Sequence, residues 1–123
     1  MASAALTAAP PSTHSVQLDR GRDLNQRRLR GEMVDVTFSV GEKAFPAHRL
    51  IVSLYSPYLR TLVATSEGFV EAGRSEFELR DVDGEVFGLL LSYMYTGAIE
   101  VGMDTVFDVM ELCQYLQLQV GFT

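Results

Sequence analysis

The sequence is poor in the residues from which many reactive centres are built: among 123 residues there is one cysteine, two histidines and no tryptophan. Cys113 alone can form no internal disulfide, and with His14 and His48 far apart no pair or cluster carries zinc-ligand spacing. This usage fits a reducing compartment, the cytosol or the nucleus. Lysine and arginine are absent beyond Arg80, whereas Asp81, Asp83, Glu85, Glu100, Asp104, Asp108 and Glu111 all follow it. A phosphate backbone would be repelled there. No apolar run approaches the roughly 18–20 residues needed to cross a bilayer. No glycine-rich loop leads into a helix with a Lys-Ser/Thr ending, so nucleotide binding has no support. The opening Met1–Thr13 carries no charge, which excludes both the basic start of a signal peptide and the arginines of a transit peptide. Residues 1–15 read as a disordered lead. Nothing places an acid, a base and a nucleophile at motif spacing, and an enzyme is the least supported class.

What is present is one domain's worth of chain with an uneven charge pattern. The formal net charge is −6, yet Arg20, Arg22, Arg27, Arg28 and Arg30 hold half of the 10 basic residues. Asp19 and Asp23 interrupt this cluster and no aromatic side chain is interleaved for base stacking. It reads as a solvated helix face rather than a nucleic-acid contact.

Along the chain, Ser15 to Glu32 offers a thin apolar stripe of Val16, Leu18, Leu24 and Leu29, a helix of about residues 17–31 that needs a partner surface. Val34, Val36, Phe38 and Val40 then alternate with polar residues, the period of a strand with one face on a core. Gly41-Glu42 turns the chain into a return strand carrying Phe45 and Ala47. From His48 the period changes to that of a helix, with Ile51, Leu54, Tyr55 and Tyr58 on one stripe. Ser56-Pro57 breaks it, Ser56 acting as N-cap of a second helix with Leu59, Leu62 and Val63 inward. Residues 65–73 read as a loop and Ser75–Leu79 as a third strand. Asp81–Gly84 starts a long helix with two apolar stripes, Phe87, Leu90, Leu91 and Met94, and Val86, Leu89 and Tyr93; such a helix belongs in the middle. Gly97 ends it. A short strand at Ala98–Val101 precedes a last helix, capped by Asp104 or Thr105, with Val106, Val109, Met110, Cys113 and Leu116 on its stripe. This order has no regular βαβ repeat and argues α+β, a small β-sheet with a cluster of α-helices.

Five motifs in this order resemble those of the BTB/POZ family, most closely its Kelch-like type, over about Leu18 to Leu118. They are Asp35-Val36-Thr37-Phe38-Ser39-Val40; Phe45-Pro46-Ala47-His48-Arg49; Ser56-Pro57-Tyr58-Leu59; Leu90-Leu91-Ser92-Tyr93-Met94-Tyr95-Thr96-Gly97; and Leu116-Gln117. The resemblance implies a BTB/POZ domain over 16–119, with 120–123 a truncated tail. Leu24 to Glu32 is similar to the N-terminal helix by which long-form members pack on a second subunit, so a homodimer is implied, with Leu18 and Leu24 at its interface. Asp35 and Arg49 match the family's charged pocket beside that interface. A partly buried ion pair there would enforce one register, since losing either partner costs roughly 3–5 kcal/mol; the alternative places Asp35 on the polar side of a strand and Arg49 in a first helical turn. His48 takes a structural place and Cys113 packs as a small hydrophobe.

The Kelch-like resemblance further implies docking to the cullin-3 scaffold of a ubiquitin ligase, with Tyr58, Leu62, Met103, Asp104 and Phe107 as the candidate surface. Val101-Gly102-Met103 departs from the family's apolar-x-Glu element by placing Met103 where Glu is expected. The alternatives are core positions for Leu62 and Phe107 and a helix cap for Asp104. Three functions follow: a cytoplasmic cullin-3 adaptor, a nuclear transcription-regulator module recruiting corepressors through the Asp35–Arg49 groove, and a shortened regulator that forms heterodimers with other BTB proteins. No cofactor, metal, nucleic acid or membrane is expected.

Overall fold

A computed structural model describes residues 3–5, 11–64, 69–71 and 74–118. Six strands and five helices occur among them: β1 (Ser3–Ala5), α1 (Pro11–Leu29), β2 (Val36–Val40), β3 (Lys43–Ala47), α2 (Arg49–Tyr55), α3 (Pro57–Ala64), β4 (Phe69–Glu71), β5 (Arg74–Glu78), α4 (Gly84–Thr96), β6 (Glu100–Gly102) and α5 (Val106–Leu116). A four-stranded sheet runs in the order β3-β2-β5-β4, and β1 pairs with β6 in a separate ribbon. β2 is antiparallel to β3 and parallel to β5. The predicted α+β class holds.

The alternation in β2 puts Val36, Phe38 and Val40 into the core while Thr37 and Ser39 stay partly exposed. Phe38 meets Phe77 of β5 and the edge of Phe87 of α4, at centroid distances of 6.4 Å and 5.7 Å. Offset and edge-on aromatic pairs of this kind add stability beyond the area they bury. α4 is the central helix, with Val86, Phe87, Leu90, Leu91, Met94 and Tyr95 buried and contacts to α1, α2 and α5.

The caps explain why the helices begin and end where they do. Asp83 accepts the backbone N–H groups of Glu85 and Val86 at 2.9 Å and 3.2 Å, satisfying two donors at the start of α4. Gly97, at φ 77°, closes its end by returning its N–H to Tyr93. Fully buried Ser56 accepts the Leu59 N–H at 3.0 Å and donates to the Leu116 carbonyl at 2.7 Å, so the cap of α3 also holds the end of α5.

Several expectations are corrected. Residues 1–15 contain β1 and the first turns of α1, which begins at Pro11 rather than near residue 17; Pro suits a first helical position, where no N–H partner is needed. Part of the expected 65–73 loop is β4, paired to the edge of β5. In α2 the buried residue is Val52, while Leu54 is exposed, because a seven-residue helix turns one narrow face to the core. In α5 Leu112 is buried and Met110 is exposed, a small rotation of the predicted stripe. In α4's second stripe Leu89 faces outward. Thr105 precedes α5, but its hydroxyl donates to the Gly102 carbonyl instead of capping the helix.

Candidate functional site

Two surfaces hold the residues singled out in the sequence. The first is built where the end of α1 meets the start of α2. α1 lies directly on α4: a Cβ on Gly21 would sit 2.5 Å from the Tyr95 carbonyl oxygen, so only glycine permits this approach. One turn further, Leu24 packs against the core.

Arg28 follows, and it is not part of a solvated face as expected, since only 3% of it is exposed. Its Nη1 donates to the Pro46 carbonyl at 3.1 Å and its Nε to Asn25 Oδ1 at 2.9 Å. Its guanidinium carbon lies 5.3 Å from the centre of the Tyr95 ring, within cation–π range. Burial lowers the Arg28 pKa from its ordinary value and the neighbouring Tyr95 raises it; an arginine nonetheless keeps its charge. Sequence reasoning missed Arg28, Gly21 and Tyr95 as a unit.

His48 fastens the same seam. Its Nε2 lies 2.8 Å from the Glu32 carbonyl oxygen, its Nδ1 2.7 Å from the Tyr95 hydroxyl, and its backbone N–H donates to that hydroxyl at 2.8 Å. One assignment satisfies all three: Nε2–H donates to Glu32, Tyr95 donates to Nδ1, and the Tyr95 oxygen accepts the His48 N–H. Burial pushes the Tyr95 hydroxyl up to about 12, against the lowering effects of the His48 N–H and Arg28. The structural reading of His48 accords with this geometry.

Asp35 and Arg49 are neighbours, but no ion pair joins them among the described residues. Asp35 Oδ1 instead accepts the Arg49 backbone N–H at 2.8 Å, serving the first turn of α2, where His48 makes no side-chain cap. The Arg49 guanidinium turns to Ser75 Oγ, and its Nε is buried with no partner. Of the two readings, the ion pair is not formed and Arg49 stands in the first turn of α2, with its backbone N–H held by Asp35.

Beside this seam opens a groove of about 340 Å³. Leu24, Met33, Leu50 and Ile51 form its apolar lining and Arg27, Glu32, Asp35 and His48 its polar rim. Of this lining Met33 and Leu50 are exposed, and Leu29 is exposed at the end of α1. Leu18 lies on α1, with its side chain outside the described residues.

The second surface belongs to α3, α5 and the turn before α5. Met103 and Phe107 are 72% and 74% exposed and Asp104 lies in the same turn. Leu62 and Tyr58 are half-buried and pack against the core. Tyr58 pairs with Tyr115, a residue the sequence did not flag, with hydroxyls 3.0 Å and ring centres 4.9 Å apart. That hydrogen bond, followed by burial, raises the Tyr115 pKa. Cys113 is buried, which pushes its thiol up.

The first surface joins an apolar lining to a charged rim, and the second exposes Met103 and Phe107 beside Asp104. A family model of the BTB/POZ domain matches residues 24–121. The chain belongs to the BTB/POZ family. Human Kelch-like protein 38 is 32% identical over 104 residues, which are 85% of this chain and 18% of that protein. Mouse zinc finger and BTB domain-containing protein 5 is 31% identical over 97 residues, 79% of this chain and 14% of that one. This BTB domain thus spans less than a fifth of these relatives. In fold it is similar to the BTB domain of zebrafish PATZ1, with a TM-score of 0.70 at 26% identity over 91% of this chain and 87% of that one. The BTB fold is a protein-interaction and dimerisation module. Among the described residues no helix is long and apolar enough to cross a membrane.

Proposed function

We propose that this BTB domain forms a homodimer through the groove between α1 and α2, and that it docks a cullin-3 scaffold as part of a substrate adaptor for a ubiquitin ligase. The observation that carries the pairing is the exposed apolar pair Met33 and Leu50 on the wall of a groove rimmed by both signs of charge. A self-complementary patch of this composition is what a two-fold interface requires. α1 is already seated on its own body, so pairing covers its remaining face and Leu18 and Leu24 border the contact. Asp35 and Arg49 stand at its edge and fix the start of α2.

The docking reading is supported by the Kelch-like relatives and by exposed Met103, Asp104 and Phe107, with Tyr58 and Leu62 at the border. Met103 replaces an expected acid, which shifts weight onto Phe107 as the apolar anchor. Pull-down of the cullin-3 N-terminal domain tests it: the chain retains the scaffold at micromolar concentration and Phe107→Asp releases it. No retention by the unaltered chain overturns the docking reading.

A second reading, a nuclear transcription-regulator module that recruits corepressors beside Asp35 and Arg49, is favoured by the zinc finger relative and the PATZ1 likeness. Zinc-finger repeats in the longer gene product support it, whereas Kelch repeats support the cytoplasmic adaptor. Heterodimers with other BTB proteins use the same groove, and co-expression with mixed-dimer purification detects them.

A further inference from the structure

We propose that Met33 is an oxidation-sensitive latch of the α1–α2 groove, at which a peroxide converts the thioether to a sulfoxide and drives paired copies apart. This rests on the self-association reading above. Met33 is 90% exposed, more than any other large hydrophobic side chain described. It also holds a left-handed backbone, at φ 58°, a conformation that is costly for a residue with a long side chain. Within the subunit this apolar side chain is offered to water from a costly backbone conformation. Its place on the wall of the groove, beside Leu24 and Leu50, gives it a use between subunits.

Sulfur chemistry narrows the choice of residue. Cys113 is buried and its thiol is held protonated by that burial, so no accessible thiolate competes for oxidant. Met94 is 1% exposed, whereas Met103 and Met110 are exposed but do not line this groove. In the reaction a lone pair of Met33 Sδ attacks one oxygen of hydrogen peroxide and the O–O bond breaks. That oxygen stays on sulfur, which loses two electrons, and the other leaves as water after proton transfer. The product is polar and chiral where the thioether was apolar. Its oxygen must remain hydrated at a groove whose rim carries Glu32 and Asp35. In a two-fold pair the change occurs twice.

The test treats the full chain with hydrogen peroxide, quantifies oxidation at each methionine by mass spectrometry and measures self-association by sedimentation. Association weakens at least roughly tenfold as Met33 is oxidised, the factor that loss of one apolar anchor produces. Met33→Leu pairs normally and resists peroxide, Met33→Gln pairs at least about tenfold more weakly without it, and Met103→Leu remains sensitive. Oxidation of Met33 also slows at concentrations where the dimer forms, whereas that of Met103 does not. A Met33→Leu chain as sensitive as the unaltered one, or an oxidised chain that pairs as tightly as before, overturns the latch alone. An untreated chain that never pairs overturns the self-association reading and the latch with it.

Discussion

The sheet side and the helix-seam side of α4 are held by different physics. Toward the sheet, Phe87 of α4 meets the rings of Phe38 and Phe45 within an apolar core. Toward α1 the contact is made by a glycine, a buried arginine, a tyrosine hydroxyl and a histidine. The first side needs only apolar volume in about the right shape, and it tolerates change in proportion to the volume lost. The second depends on single atoms, such as the missing Cβ of Gly21 and the donors that satisfy the Pro46 and Glu32 carbonyls. A core of the first kind holds the body together, whereas a seam of the second kind sets where one helix lies, and so where the groove opens.

Phe38→Ala gives the largest expected effect. Phe38 is fully buried, and truncation of such a side chain costs about 3–5 kcal/mol, a large share of a small domain's stability. Urea unfolding followed by circular dichroism checks it, and the whole domain melts as one unit. Gly21→Leu separates the two regions: its Cβ collides with the Tyr95 carbonyl, so the expected loss is about 1–3 kcal/mol, concentrated in α1. Amide exchange then speeds up along α1 while β2 and α4 stay protected; equal acceleration in all three would dissolve the distinction.

Tyr95→Phe has the smallest effect at neutral pH, about 1–2 kcal/mol, because His48 loses both a donor to Nδ1 and an acceptor for its N–H. It sharpens the comparison through pH. Tyr95 is raised to about 12 in the fold, above the ordinary value near 10 of an unfolded tyrosine. Its contribution is complete below pH ~10 and is lost as pH rises toward and through about 12. The loss amounts to roughly 2–3 kcal/mol. Stability of the unaltered chain therefore falls over this alkaline window, and the Phe variant falls less steeply; parallel curves would place the titrating group elsewhere.

The same division explains what could be read in the sequence. Alternation at Val36, Phe38 and Val40, the Ser56-Pro57 break, the helix start within Asp81–Gly84 and the Gly97 end are local signals, and each reappears in the fold. Three-residue β4 was not legible because its partner, the edge of β5, supplies the pairing rather than its own pattern. Arg28 was not legible because nothing local distinguishes it from Arg27 or Arg30; only the docking of α1 on α4 decides which arginine turns inward. Met110 and Leu112 differ from expectation by a rotation of α5 that its neighbours set. The nearness of Asp35 and Arg49 was legible through family resemblance, but the bond between them was not, since a backbone N–H took the carboxylate. The residues of both candidate surfaces were named from the sequence except Tyr115 in the second, and Met33 and Leu50, whose exposure beside the first surface only the fold reveals.

Sedimentation velocity over a micromolar concentration series, on the chain and on Leu50→Asp, tests most directly whether the α1–α2 groove joins two copies. Leu50 is 72% exposed, so the substitution should leave thermal unfolding of the subunit unchanged. A dimer is expected for the unaltered chain and a folded monomer for Leu50→Asp. A folded monomer at every concentration for the unaltered chain, or a dimer that Leu50→Asp leaves intact, would contradict pairing through this groove.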